Sequence, residues 1–105
     1  MSTFRRRAYG VPVSADAVKA DHPGFSFGTF LDPPGRAWED FVHDTDEFVV
    51  IAEGEIEIEV AGETALCGPG DLVRIPAGAP HSLRTSKAAG SRWFYGYGHW
   101  DGTDG

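Results

Sequence analysis

The sequence predicts a single all-β domain, and three observations carry that expectation. Glu55–Val60 alternates strictly between glutamate and an aliphatic residue, the pattern of a strand with one wet face and one dry face. Six or more short strand-like runs follow one another, divided by close turn signals, which suggests a sandwich or barrel. Fourteen glycines and seven prolines are scattered without period, as a fold with many tight turns requires.

Size and charge set further bounds. With 105 residues, 41% hydrophobic and 12% aromatic, the chain supports one folded core. The expected organisation is an irregular N-terminal segment at 1–23, the β-domain at 24–99 and an acidic tail at 100–105. A net charge of −7 disfavours nucleic acid and anionic membranes as partners. Arg5, Arg6 and Arg7 form the one basic cluster and read as a solvated end. A single cysteine, Cys67, excludes an internal disulfide, so the fold does not depend on an oxidising compartment. No signal peptide is evident, and no apolar run reaches the ~18 residues of a membrane span, so a soluble cytoplasmic protein is expected.

Ala15–Ala20 predicts one helical turn capped by Ser14. Phe25, Phe27 and Thr29 alternate with Ser26, Gly28 and Phe30 as a first strand, which Asp32-Pro-Pro-Gly35 interrupts. Phe48-Val-Val-Ile51 is apolar on both faces and predicts a strand buried on both sides. The Glu55–Val60 strand turns at Ala61-Gly62 into Thr64–Cys67. Gly68-Pro-Gly-Asp71 is a turn in which proline presets φ and Gly70 takes the position needing φ > 0. Leu72–Ile75, His81–Thr85 and Arg92–Tyr97 are the later strands.

Residues of equal parity share a strand face. His43 and Glu47 therefore precede Val49 and Ile51 on one face, and His81 precedes Leu83 and Thr85 on another. If these faces oppose each other, two imidazoles and a carboxylate converge on one point.

The spacing of these residues resembles the cupin superfamily, small β-barrels of jelly-roll type. The superfamily's second motif is matched by Gly70, Pro76, Gly78 and His81, with Thr85 where asparagine is usual. Its first motif is matched by His43, Glu47 and Gly54, while Phe41 stands where another histidine is usual. The resemblance spans roughly residues 25–98 and implies a cupin-type jelly-roll barrel. It also implies a metal site of His43, Glu47 and His81. Two imidazoles and one carboxylate form a recognised set for non-haem iron, and they suit zinc too; Fe, Mn, Ni, Zn and Cu all remain open. A divalent ion there would polarise a bound carboxylate, enolate or dioxygen.

Phe41, Val49, Leu83, Thr85, Trp93 and Tyr95 are the expected lining of the pocket. Trp93, Tyr95 and Tyr97 share a face and offer a wall for a flat ligand, or packing for a homodimer. Arg74 and Arg84 suit either a substrate carboxylate or pairing with the glutamate row. Asp44 and Asp46 suit either support of His43 or a solvated loop. His22 and His99 read as surface residues, and Cys67 as a small hydrophobe by a turn.

Two functions follow. One is a small metal-dependent enzyme of dioxygenase, isomerase or decarboxylase type acting on a small organic acid, sugar or aromatic compound. The other is a non-catalytic sensor or binding module whose metal site has decayed at Phe41.

Overall fold

The computed structural model describes residues 3–33, 37–42, 44–85 and 90–99, with 37–41 described by backbone. The elements run β1 (Phe4–Arg5), α1 (Ala15–Ala20), β2 (Gly28–Asp32), β3 (Ala37–Phe41) and β4 (Asp46–Glu53). They continue as β5 (Ile56–Val60), β6 (Glu63–Cys67), β7 (Leu72–Ile75), β8 (His81–Thr85) and β9 (Ser91–Gly98). A five-stranded sheet has the order β1-β7-β4-β9-β2, and a four-stranded sheet the order β3-β8-β5-β6. Every pairing is antiparallel. The two sheets face each other as a jelly roll and, among the described residues, do not close into one continuous ring of paired strands.

The alternation in β5 performs its predicted task. Ile56, Ile58 and Val60 face inward with Cys67 and Leu83, and meet Val49, Ile51, Val73, Ile75 and Trp93 of the other sheet. At ~1.5–3 kcal/mol for each fully buried aliphatic side chain, this layer is the main source of cohesion.

A second apolar layer lies on the outer face of the five-stranded sheet. Phe48, Val50, Ala52, Leu72 and Phe94 are covered there by Val18 of α1 and by Ala8, Tyr9, Phe25 and Phe27. This cover explains why Phe48–Ile51 is fully buried on both faces, as the sequence predicts.

Local signals are obeyed closely. Ser14 caps α1, its hydroxyl accepting from the Ala17 amide at 3.2 Å. Ala61 and Gly62 take φ of 50° and 89°, the twist a two-residue hairpin demands. Gly70 takes φ of 90°, and the Asp71 amide donates to the Gly68 carbonyl at 3.0 Å, closing the Gly-Pro-Gly turn.

The N-terminal segment is more structured than the sequence suggests. Phe4 and Arg5 add an edge strand to β7, and Arg6 donates to the Asp71 carboxylate at 3.1 Å. Phe25 and Phe27 precede β2 and pack on the outer layer, so the first long strand starts at Gly28.

Candidate metal centre

Strand parity brings two of the three sequence-predicted ligands together. Glu47 stands opposite Ile75 on one side and Tyr97 on the other. His81 stands opposite Val60, and Phe41 holds the neighbouring register position in β3. The Glu47 and His81 side chains point into the space between the sheets. Both side chains are nearly dry, with Glu47 4% and His81 3% exposed.

His81 Nε2 lies 3.4 Å from Glu47 Oε1. On the other side of the ring, Nδ1 lies 3.1 Å from the Ala79 carbonyl. A carbonyl only accepts, so Nδ1 carries a proton and Nε2 is the nitrogen presented to Glu47. Ala79 is held for this by its turn, where its own amide donates to the Pro76 carbonyl at 3.1 Å and Gly78 takes φ of 82°. Asp46 ties that turn to β4, accepting from the Ala77 amide at 2.8 Å. The residue beside Glu47 thus fixes the loop that orients His81.

Charge follows from this packing. Burial works against a proton on His81, but the Glu47 hydrogen bond, the Ala79 carbonyl and the Glu47 charge together raise its pKa above 6.5. The Tyr97 hydroxyl is pushed up to about 12 by burial, then by the charges of Glu47 and Tyr95. It stands near the carboxylate as a neutral phenol. Trp93, Tyr95 and Tyr97 line up along β9 with ring centroids 5.6 and 5.8 Å apart.

Glu47 and His81 are spaced as two ligands of one divalent ion would be. Two ligands each ~2.1 Å from one ion in tetrahedral array are ~3.4 Å apart, and the Glu47–His81 separation is 3.4 Å. A backbone carbonyl on the remote imidazole nitrogen is the support that ligating histidines commonly have. His43, the third predicted ligand, lies outside the described residues. Among the described residues no group of three or more His, Cys, Asp or Glu side chains converges.

Residues 28–95 match the family model described as "Cupin domain". The chain belongs to the cupin family. This cupin is 43% identical over 51 residues to quercetin 2,3-dioxygenase of Bacillus subtilis (strain 168). That match covers 48% of the chain and 15% of the dioxygenase, so the chain spans a small part of that relative. Among solved structures it resembles TT1209 of Thermus thermophilus, with a TM-score of 0.65 and 28% identity over 75% of this chain and 77% of that one. It also resembles the cupin domain of an XRE family transcriptional regulator from Enterobacter cloacae, with a TM-score of 0.65 and 26% identity. That match covers 74% of this chain and 83% of the other. The cupin domain of Schizosaccharomyces pombe Cnp3, 20% identical with a TM-score of 0.67 over 78% of this chain and 60% of that one, supports the fold.

The other predicted residues of this cupin divide clearly. Val49, Leu83 and Trp93 belong to the inner core, with Tyr95 packed at its edge. Thr85 faces inward and donates to the Pro33 carbonyl at 3.1 Å. Phe41 is placed by register, and nothing is described of its side chain. Arg84 pairs with Glu57 at 2.8 Å, the glutamate-row alternative. Cys67 is buried, and burial followed by the Asp71 charge pushes its thiol up to about 11, consistent with a packed hydrophobe. Asp44 and His99 are exposed.

His22 requires correction. Expected at the surface, it is only 5% exposed. Its ring stacks on Phe48 with centroids 4.0 Å apart, and Nδ1 donates to the Val18 carbonyl at 2.8 Å. The i, i+4 spacing from Val18 is a faint signal, but the burial comes from the outer layer. Asp32, which the sequence marks only as a strand end, is buried and accepts from Trp93 Nε1 at 3.1 Å, anchoring the aromatic row.

Proposed function

We propose that this cupin holds a divalent transition metal through His43, Glu47 and His81 and acts on a small organic acid, sugar derivative or aromatic compound. The observation that carries the reading is the buried Glu47–His81 pair, with His81 Nδ1 held on Ala79. An ion on this set would keep about one net positive charge and polarise an oxygen of a bound small molecule.

The chain's own residues supply the rest. Ala79 keeps the His81 proton on Nδ1 and so leaves Nε2 for coordination. The Trp93–Tyr95–Tyr97 row, whose successive rings are inclined at 60° and 67°, gives an aromatic wall beside the carboxylate. Tyr97, neutral across the physiological range, offers a hydroxyl that can donate to a substrate oxygen without adding negative charge. The partial match to quercetin 2,3-dioxygenase favours an oxygen-dependent reaction over isomerisation or decarboxylation. Protein purified without a histidine tag tests the reading: stoichiometric metal that disappears in His81→Ala supports it. No metal after reconstitution removes it.

A second reading, a small-ligand sensor, is favoured by the likeness to the Enterobacter cloacae regulator's cupin domain. Thermal stabilisation by metabolites but not by metals, unchanged in His43→Ala, selects the sensor; metal-dependent turnover selects the enzyme.

The assembly proposed is a homodimer. Leu31 on β2 and Leu66 on β6 are 69% and 53% exposed on strands that end their sheets, where apolar surface invites a partner. A monomer in sedimentation at micromolar concentration contradicts it.

A further inference from the structure

A second polar site lies on the other side of the five-stranded sheet from Glu47 and His81. Register places its residues. Arg5 of β1 pairs with Leu72, and Arg74 of β7 pairs with Phe48. Directly paired residues share a face, and so do residues two apart. Leu72 and Phe48 belong to the outer apolar layer. Arg5 and Arg74 therefore rise from the outer face, next to the segment that covers it.

Between that segment and the sheet is a cavity of about 300 Å³ lined by Arg5, Tyr9, Asp21, His22, Leu72 and Arg74. Its volume is at the lower end for small-molecule sites. Tyr9 donates to Asp21 Oδ2 at 2.9 Å, which orients that carboxylate. His22, stacked on Phe48, has committed Nδ1–H to Val18, so its Nε2 is an acceptor. Burial lowers the His22 pKa and keeps the ring neutral, with Arg74 adding to the effect. The cavity thus holds two guanidinium groups against one carboxylate, a surplus of positive charge in a chain of net charge −7. Among the described residues no ion pair engages Arg5.

We propose that this cavity binds a small carboxylate that also carries a hydroxyl or ammonium group. Arg5 and Arg74 take the carboxylate, as guanidinium groups do where a planar oxyanion must be gripped. Asp21 and the His22 acceptor take the hydroxyl or ammonium. The division of charge within the cavity dictates this class: cations toward the sheet edge, acceptors toward the end of α1. The site is separate from the metal centre and stands whether or not a metal is bound there.

Amide chemical shifts of the full chain test it, with L-serine and L-lactate as probes and acetate and inorganic phosphate as controls. Serine or lactate shifts the amides of Tyr9, His22 and Arg74 saturably at about 10 mM. Arg5→Gln, an exposed change that leaves the core untouched, weakens this about tenfold. Arg5→Gln with Arg74→Gln abolishes it in a chain whose spectrum remains dispersed, while His81→Ala leaves it intact. No saturable shift with either probe overturns the proposal. Equal saturation by acetate or phosphate also overturns it, since Asp21 and His22 would then have no part. Shifts confined to the surroundings of Glu47 and His81 would assign the probes to the metal centre and overturn it as well.

Discussion

His81 and Glu47 come from opposite sheets and meet at 3.4 Å in a nearly dry interior. That meeting couples the fold to the site. Removing one member of a buried pair strands the other. In metal-free protein at neutral pH, His81→Ala lowers the free energy of unfolding by about 3 kcal/mol, because the Glu47 carboxylate loses its partner. Urea denaturation measures this. His81→Ala combined with Glu47→Ala recovers part of the loss; full additivity would show that the two do not interact.

A group on the other face of the sheet contributes to stability in a pH-dependent way. The folded pKa of His22 is lowered, first by burial, against an ordinary value of 6.5. Its ring faces Phe48 and Phe25, with Asp21 and Arg74 acting on its charge. The unfolded chain therefore takes up the proton first. The His22 contribution is complete above about pH 6.5 and is lost as pH falls through the lowered folded value. His81, with its raised value, runs the other way in metal-free protein: its contribution is complete below 6.5 and is lost as pH rises through the folded value. Unfolding free energies from pH 5 to 8, roughly the histidine range, check both. His22→Phe removes the acid-side loss, and an unchanged profile would contradict the buried neutral ring.

The hairpin turn between β5 and β6 carries avoidable strain. Ala61 holds φ of 50°, a region L-residues with a Cβ avoid and asparagine tolerates. Its side chain is exposed, so Ala61→Asn keeps all packing and turns the loop into Asn-Gly. We expect stabilisation of about 0.5–1 kcal/mol, read as a shift in denaturation midpoint at constant slope.

Asp71 is a polar clamp on the N-terminal segment. Its carboxylate accepts from the Gly68 amide at 2.9 Å, the Arg7 amide at 2.9 Å and Arg6 Nη1 at 3.1 Å. Asp71→Ala leaves two backbone donors without this acceptor and costs about 2–3 kcal/mol. Hydrogen exchange then quickens over residues 4–9, where β1 and the following turn lose their tether. Uniform exchange across the chain would argue against a local clamp.

Much of this architecture is legible in sequence because local chemistry dictates it. Gly70 and Gly78 occupy positive φ, and Pro76 ends β7, so the segment from Gly70 to His81 is set by residues within it. The Glu55–Val60 alternation likewise names its own faces. What the sequence does not disclose depends on distant partners. β1 is only two residues long and exists because Val73 and Leu72 offer an edge. His22 is buried by Phe48 and Phe25, and Asp32 acquires its role from Trp93. The Glu47–His81 pair is visible as spacing, but the Ala79 support and the Asp46 clip need the turn to be folded.

The most direct test is anomalous diffraction from crystals of the metal-loaded chain, collected at the metal's absorption edge. The account predicts a peak between the sheets, with His43, Glu47 and His81 each contributing a ligand atom within ~2.0–2.2 Å of it. A chain that stays empty after loading, or a peak away from the Glu47–His81 pair, would contradict it.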